Sequence, residues 1–122
     1  MMIRIVVGGQ LAKNEIVELI ERLGGDKVVV TSKNDLEGAM ALKNGTVDYY
    51  FGSCNTGGGG SLAMAIALNG MDKCMTVAMP SKILSDEEII NGIKNGKVAF
   101  GFVPECLDYV VKLIMKEILK KA

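Results

Sequence analysis

Apolar residues fall along this chain in two alternating rhythms. Short, nearly continuous runs rich in β-branched and aromatic residues occupy 3–7, 27–31, 47–51, 74–79 and 97–103. Runs of that kind fit parallel strands covered on both faces. Between them the apolar positions recur with helical spacing, which predicts helices over about 13–23, 35–43, 61–69, 86–94 and 105–121. Ile16, Leu19, Ile20 and Leu23 make one buried stripe, and Gly24-Gly25 closes that helix. Ser85 and Glu88 form a capping box before Ile89, Ile90 and Ile93. Pro104 suits a first helical position, and Leu107, Val110, Val111, Ile114 and Ile118 form the last stripe.

Five strands alternating with helices across short connections predict a three-layer α/β sandwich with right-handed crossovers, a Rossmann-like domain of flavodoxin type. No linker, internal repeat or composition shift divides the chain, so residues 1–122 read as a single domain. The expected strand order is 2-1-3-4-5. In that order the connections diverge between strands 1 and 3, and ligands bind outside the carboxyl ends at such a point. The loops arriving there are Gly8-Gly9-Gln10 and residues 52–61.

One helix breaks the amphipathic rule. Residues 62–68 read LAMAIAL, apolar all round, so this helix is expected to be buried on most sides, in part against a second copy of the chain.

Charge removes several classes of partner. Fourteen basic and fourteen acidic residues cancel, aromatics are few, and no basic stripe is interleaved with them, so nucleic acid is not an expected partner. No stretch reaches the roughly 18 apolar residues of a membrane span, and the amino-terminal residues read as a first strand rather than a signal peptide. The three cysteines, 54, 74 and 106, lack metal-site spacing and suit reduced thiols in a cytoplasm. No cofactor or metal is expected. Histidine is absent, which excludes Ser-His and Cys-His dyads.

The chemistry concentrates in residues 52–61, GSCNTGGGGS. Four successive glycines between a strand and a helix leave backbone N–H groups unshielded beside the positive end of a helix dipole, a setting that favours an anion. The loop is neither a Walker A motif, since no Lys-Ser/Thr pair follows, nor a dinucleotide fingerprint, since it follows the third strand. Cys54 lies at its mouth, where the same field would stabilise a thiolate below the roughly 8.5 of an isolated cysteine. A small packed thiol is the plainer alternative, as close backbone packing is for the glycines. Asn55, Thr56, Gly57, Gly58, Gly59, Gly60 and Ser61, with Gly8 and Gly9 opposite, are the candidate ligand-binding residues. Ser61 also fits a helix N-cap. Lys82 is a candidate anion contact, Asn34 and Asp35 fit a helix cap, and Asp48 fits a solvated strand start. Cys74 and Cys106 read as packed residues.

Two resemblances rest on these residues. The segments 36–45, 48–50, 54–57 and 96–101 are similar across nearly the whole chain to the YhfU-like bacterial family, which implies no particular activity. The loop CNTGGGGS at 54–61, with the Ala-rich helix ending at Asn69, resembles that of ribose-5-phosphate isomerase B and the galactose-6-phosphate isomerases. That second resemblance implies that Cys54 is a base moving a proton between sugar carbons, with the backbone from Thr56 to Gly60 stabilising an enediolate. Where that family has an Asp-His pair after its first strand, this chain has Gly9-Gln10. The expected function is therefore binding of a small phosphorylated or carboxylated metabolite at the loop. The alternative is an isomerase-like enzyme with Cys54 as its catalytic base.

Overall fold

The computed structural model describes residues 2–121. Its sheet contains β1 (Ile3–Gly9), β2 (Val28–Ser32), β3 (Tyr49–Ser53), β4 (Cys74–Met79), β5 (Lys82–Ile83) and β6 (Ala99–Phe102). They lie in the order β2-β1-β3-β6-β4-β5. Every pairing is parallel except that of the short β5, which turns back against β4. Helices α1 (Lys13–Gly24), α4 (Asp86–Lys94) and α5 (Leu107–Lys121) pack on one face, and α2 (Asp35–Lys43) and α3 (Ala63–Asn69) on the other. The flavodoxin-type three-layer sandwich predicted from the alternation is the observed fold.

Successive strand residues feed opposite layers, as the period of two requires. Ile5, Val7, Phe51 and Phe100 join the larger core under α1, α4 and α5. Val6, Tyr50 and Ala99 join the smaller core under α2 and α3. Helix ends follow local chemistry. Ser85 and Glu88 exchange side-chain-to-backbone hydrogen bonds of 3.1 and 2.9 Å at the start of α4. Asn34 caps α2 by accepting from the Glu37 N–H at 2.8 Å.

The order 2-1-3-4-5 is corrected. The fifth run of the sequence, β6, inserts between β3 and β4, and a sixth, two-residue strand forms the edge. Right-handed crossovers allow either placement, so burial decides. All four residues of β6 are buried, whereas Met75, Thr76 and Met79 of β4 stay partly open. Gly101 also lacks the side chain that would collide with the Gly57 carbonyl and Leu62, so β6 can run beneath the glycine loop. The divergence between β1 and β3 survives the change, because β3 still pairs with β1.

Two helix expectations also change. α3 starts at Ala63 rather than Ser61, and Leu62 stands at its cap with no side-chain hydrogen bond, so Ser61 is not an N-cap. Within the chain, α3 leaves Ala63 and Ala67 exposed while Leu62 and Ala65 are buried. The last helix enters through a 3-10 turn, Pro104–Cys106, with the proline at its first position.

Candidate functional site

β3 ends at the switch point and delivers Cys54 onto the carboxyl edge of the sheet, where its N–H donates to the Phe102 carbonyl at 3.2 Å. The chain then turns through Gly57 at φ +87°, a left-handed conformation that favours glycine. A Cβ on Gly57 would collide with the Ala78 carbonyl, and one on Gly58 with the Thr76 hydroxyl. These two glycines press the loop down on β4. Gly59 and Gly60 would meet only side chains, those of Thr56 and Gln10.

Folded this way, the loop points its donors at the Cys54 sulfur. The Ser61 N–H donates to Sγ at 3.3 Å. Ser61 Oγ lies 3.4 Å from Sγ and Thr56 Oγ1 3.5 Å from it. Thr56 Oγ1 accepts from the Gly59 N–H at 2.9 Å, which leaves its own proton for the sulfur. Ser61 Oγ donates to the Gly57 carbonyl at 3.1 Å when Cys54 is a thiol. Ionisation lets that proton turn to the sulfur.

Burial opposes the charge, since Cys54 is only 2% exposed. The hydroxyls of Ser61 and Thr56 and the backbone at Thr56 and Gly60 outweigh it and bring the thiol down to about 6. At pH 7 that lowering favours the thiolate. Cys74 behaves oppositely: burial first, with Asp72 adding to it, pushes its thiol up.

A second tier holds the first. The Tyr50 hydroxyl donates to the Ser61 carbonyl at 2.6 Å and lies 3.5 Å from Asp35 Oδ1. Asp35 Oδ1 also accepts from the Gly9 N–H at 2.5 Å. Burial, then the charge of Asp35, pushes the Tyr50 hydroxyl well above its ordinary range, so it stays a donor. The β1–α1 connection is anchored beside them, with the Gln10 and Leu11 N–H groups both donating to the Ser53 carbonyl at 3.0 and 3.1 Å. Ala12 reaches α1 through φ +57°, a strained conformation for a residue with a Cβ.

The structure thus gathers Cys54, Thr56 and Ser61 around one atom and gives the remaining candidates other roles. Asn55 lies exposed at the rim. Of the loop amides, the Gly57 N–H donates to the Cys54 carbonyl at 3.3 Å, and those of Gly59 and Ser61 are taken by Thr56 Oγ1 and the sulfur. Gly9 spends its N–H on Asp35, and Gly8 packs against the Tyr50 hydroxyl end. Lys82 lies exposed on β5, lining a separate groove of about 450 Å³ with Cys106. Asp48 pairs with Arg4 at 2.9 Å toward the amino end of the strands. Asp35 does more than cap, and Tyr50 was not singled out in the sequence. A tyrosine inside a strand bound for the core was the available signal, because a buried tyrosine hydroxyl needs a partner.

A doubly wound parallel sheet with a cysteine-bearing glycine loop at its switch point is the class that fold and site define. The chain belongs to the family described as protein of unknown function DUF2620, which matches residues 3–118. It is 38% identical over 108 residues to the uncharacterised protein YhfU of Escherichia coli (strain K12), covering 88% of this chain and 92% of that protein. The YhfU protein of Shigella flexneri matches with the same 38% identity and the same coverage. Among solved structures, the type B ribose 5-phosphate isomerase of Trypanosoma cruzi superposes with a TM-score of 0.69 at 12% identity, over 97% of this chain and 84% of that one. That of Trypanosoma brucei gives a TM-score of 0.68 at 14% identity, over 97% and 86%. At such identities the likeness is one of fold. None of the described helices is long and apolar enough to cross a membrane.

Proposed function

We propose that this chain transfers a proton within a small hydroxylated, sugar-phosphate-like metabolite, with the Cys54 thiolate as the base. The observation that carries the reading is the ring of donors around the sulfur, which lowers the thiol of a buried cysteine and favours its ionised form. A thiolate so held can take a proton from the hydroxyl-bearing carbon beside a carbonyl and return it to the carbonyl carbon; with the hydroxyl proton passing through solvent to the former carbonyl oxygen, the two transfers make the net change of an aldose–ketose isomerisation. The type B ribose 5-phosphate isomerases, which share the fold, support that substrate class. The substrate reaches the sulfur when the outer half of the loop, Gly59 and Gly60, lifts away while Gly57 and Gly58 stay against β4. The N–H groups of the loop that are released then serve the developing enediolate oxygen. A thiolate base calls for a reducing compartment such as the cytoplasm.

The test is solvent exchange. Ribose 5-phosphate and other aldose phosphates incubated with the protein in D2O are expected to gain deuterium next to the carbonyl, read by NMR. The base works deprotonated, so the rate rises with pH, levels off above about 6 and falls tenfold per unit below it. Ligand-induced stabilisation with no exchange at any pH would instead favour the second reading, a domain that binds a small anionic metabolite without turning it over. That reading draws on the absence of histidine from the chain.

The same proposal includes a homodimer formed across α3. Its open residues Ala63 and Ala67 stand beside α2, where Leu36 and Met40 are 47% and 46% exposed, and Met71 just beyond α3 is 72% exposed. An apolar face of that kind is one a second copy can cover. Light scattering at high micromolar concentration is expected to give twice the 13.0 kDa chain mass. A clean monomer overturns the pairing.

A further inference from the structure

We infer that Tyr50 is a positioning residue for the Cys54 sulfur, acting through the backbone of Ser61. The inference rests on the proposal that Cys54 is the working base. Ser61 meets the sulfur with both its N–H, at 3.3 Å, and its hydroxyl, at 3.4 Å. It stands outside α3, whose cap at Leu62 makes no side-chain hydrogen bond. The 2.6 Å bond from the Tyr50 hydroxyl to the Ser61 carbonyl is what ties this residue to the sheet.

The surroundings of Tyr50 point the same way. Its ring lies in a slot made by three glycines from three elements, Gly8 of β1, Gly38 of α2 and Gly52 of β3. A Cβ at these positions would stand 2.5 Å from the Tyr50 hydroxyl, 2.9 Å from one ring carbon and 3.1 Å from another. Phenylalanine would fill the aromatic part of that slot, so packing alone does not call for the oxygen. The oxygen reaches the carbonyl of a residue that serves the sulfur on two sides. The titratable groups that meet here are Cys54, Tyr50 of β3 and Asp35 of α2. Asp35 holds the Gly9 N–H at 2.5 Å but touches Tyr50 only at 3.5 Å, so its removal leaves the Tyr50–Ser61 bond in place.

The experiment reads the ionisation of Cys54 itself, by the pH dependence of its alkylation with iodoacetamide, each cysteine being followed by peptide mass spectrometry. The unmutated protein is expected to show a midpoint near pH 6. Tyr50→Phe should raise that midpoint by about one pH unit, the size expected from loosening one hydrogen bond to a charged sulfur. Asp35→Asn, which disturbs the same region without cutting this bond, should leave it within about 0.3 of a unit. If Tyr50→Phe does not fold, Tyr50→Met fills the slot with an adaptable side chain lacking a hydroxyl and carries the same test. A folded Tyr50 variant with the unmutated midpoint overturns the positioning role alone, and so does an Asp35→Asn shift as large as that of Tyr50→Phe. A midpoint above pH 8 in the unmutated protein overturns the proposed base as well.

Discussion

Cys54→Ser is expected to abolish proton exchange and to flatten the dependence of stability on pH. A serine hydroxyl does not ionise in this range, so the base is gone while the volume is nearly kept. General-base catalysis of this type is worth about 10²–10⁴-fold, and the exchange rate should fall by at least that much. The stability effect follows from the same charge. The folded-state thiol stands at about 6 against an ordinary 9.0. A depressed value stabilises the fold above the unfolded pKa and loses that contribution as pH falls through the folded one. The contribution is therefore nearly absent below pH 6, about 1.4 kcal/mol at pH 7 and about 4 kcal/mol above pH 9. Urea unfolding at pH 5.5 and 8.5 should show the unmutated protein gaining about 3 kcal/mol relative to Cys54→Ser over that interval. Parallel curves for the two proteins would mean that Cys54 is protonated in the fold, and the proposed chemistry would lose its base.

Gly57→Ala should be among the most damaging single substitutions in the loop. Gly57 sits at φ +87°, where a residue with a Cβ is disfavoured by about 1–2 kcal/mol. The added methyl would also collide with the Ala78 carbonyl, which cannot step aside freely because it accepts the Val103 N–H at 3.2 Å. Overpacking of that kind adds about 1–3 kcal/mol, so a total of about 2–5 kcal/mol is expected. That is a large share of the roughly 5–15 kcal/mol by which domains are stable. Gly59→Ala is the contrast, since its methyl would meet only the Thr56 hydroxyl, 2.8 Å away on a movable side chain. A shift in urea midpoint for Gly57→Ala no larger than for Gly59→Ala would show that the loop does not rest on β4 in solution.

These two glycines mark how far the site was legible beforehand. Both readings of the run, ligand loop and close packing, were open, and the structure divides them within four residues: Gly57 and Gly58 are packed against β4, Gly59 and Gly60 against side chains. The strand that supplies the Ala78 carbonyl lies some twenty residues away, so no local pattern could distinguish one glycine from the next. Tyr50 and Asp35 were hidden for the same reason. Their roles depend on the Ser61 carbonyl, brought back over β3 by the path of the loop, and on the Gly9 amide, met by the packing of α2 against β1.

The sequence by itself determined the layered α/β fold, the pairing of capped helices with apolar strands, the location of the glycine loop at the carboxyl end of the third strand, and the absence of any histidine to partner the Cys54 thiol. Those features follow from the period of apolar residues and from residue type, which act over a few neighbours. Only the tertiary structure decided that β6 lies between β3 and β4, because crossover handedness permits both orders and burial of the whole strand selects one. It alone decided, too, that the loop turns its donors on its own sulfur. A hydrogen bond is made or lost within a few tenths of an ångström, and distances that fine exist only once distant strands have set the path of the loop.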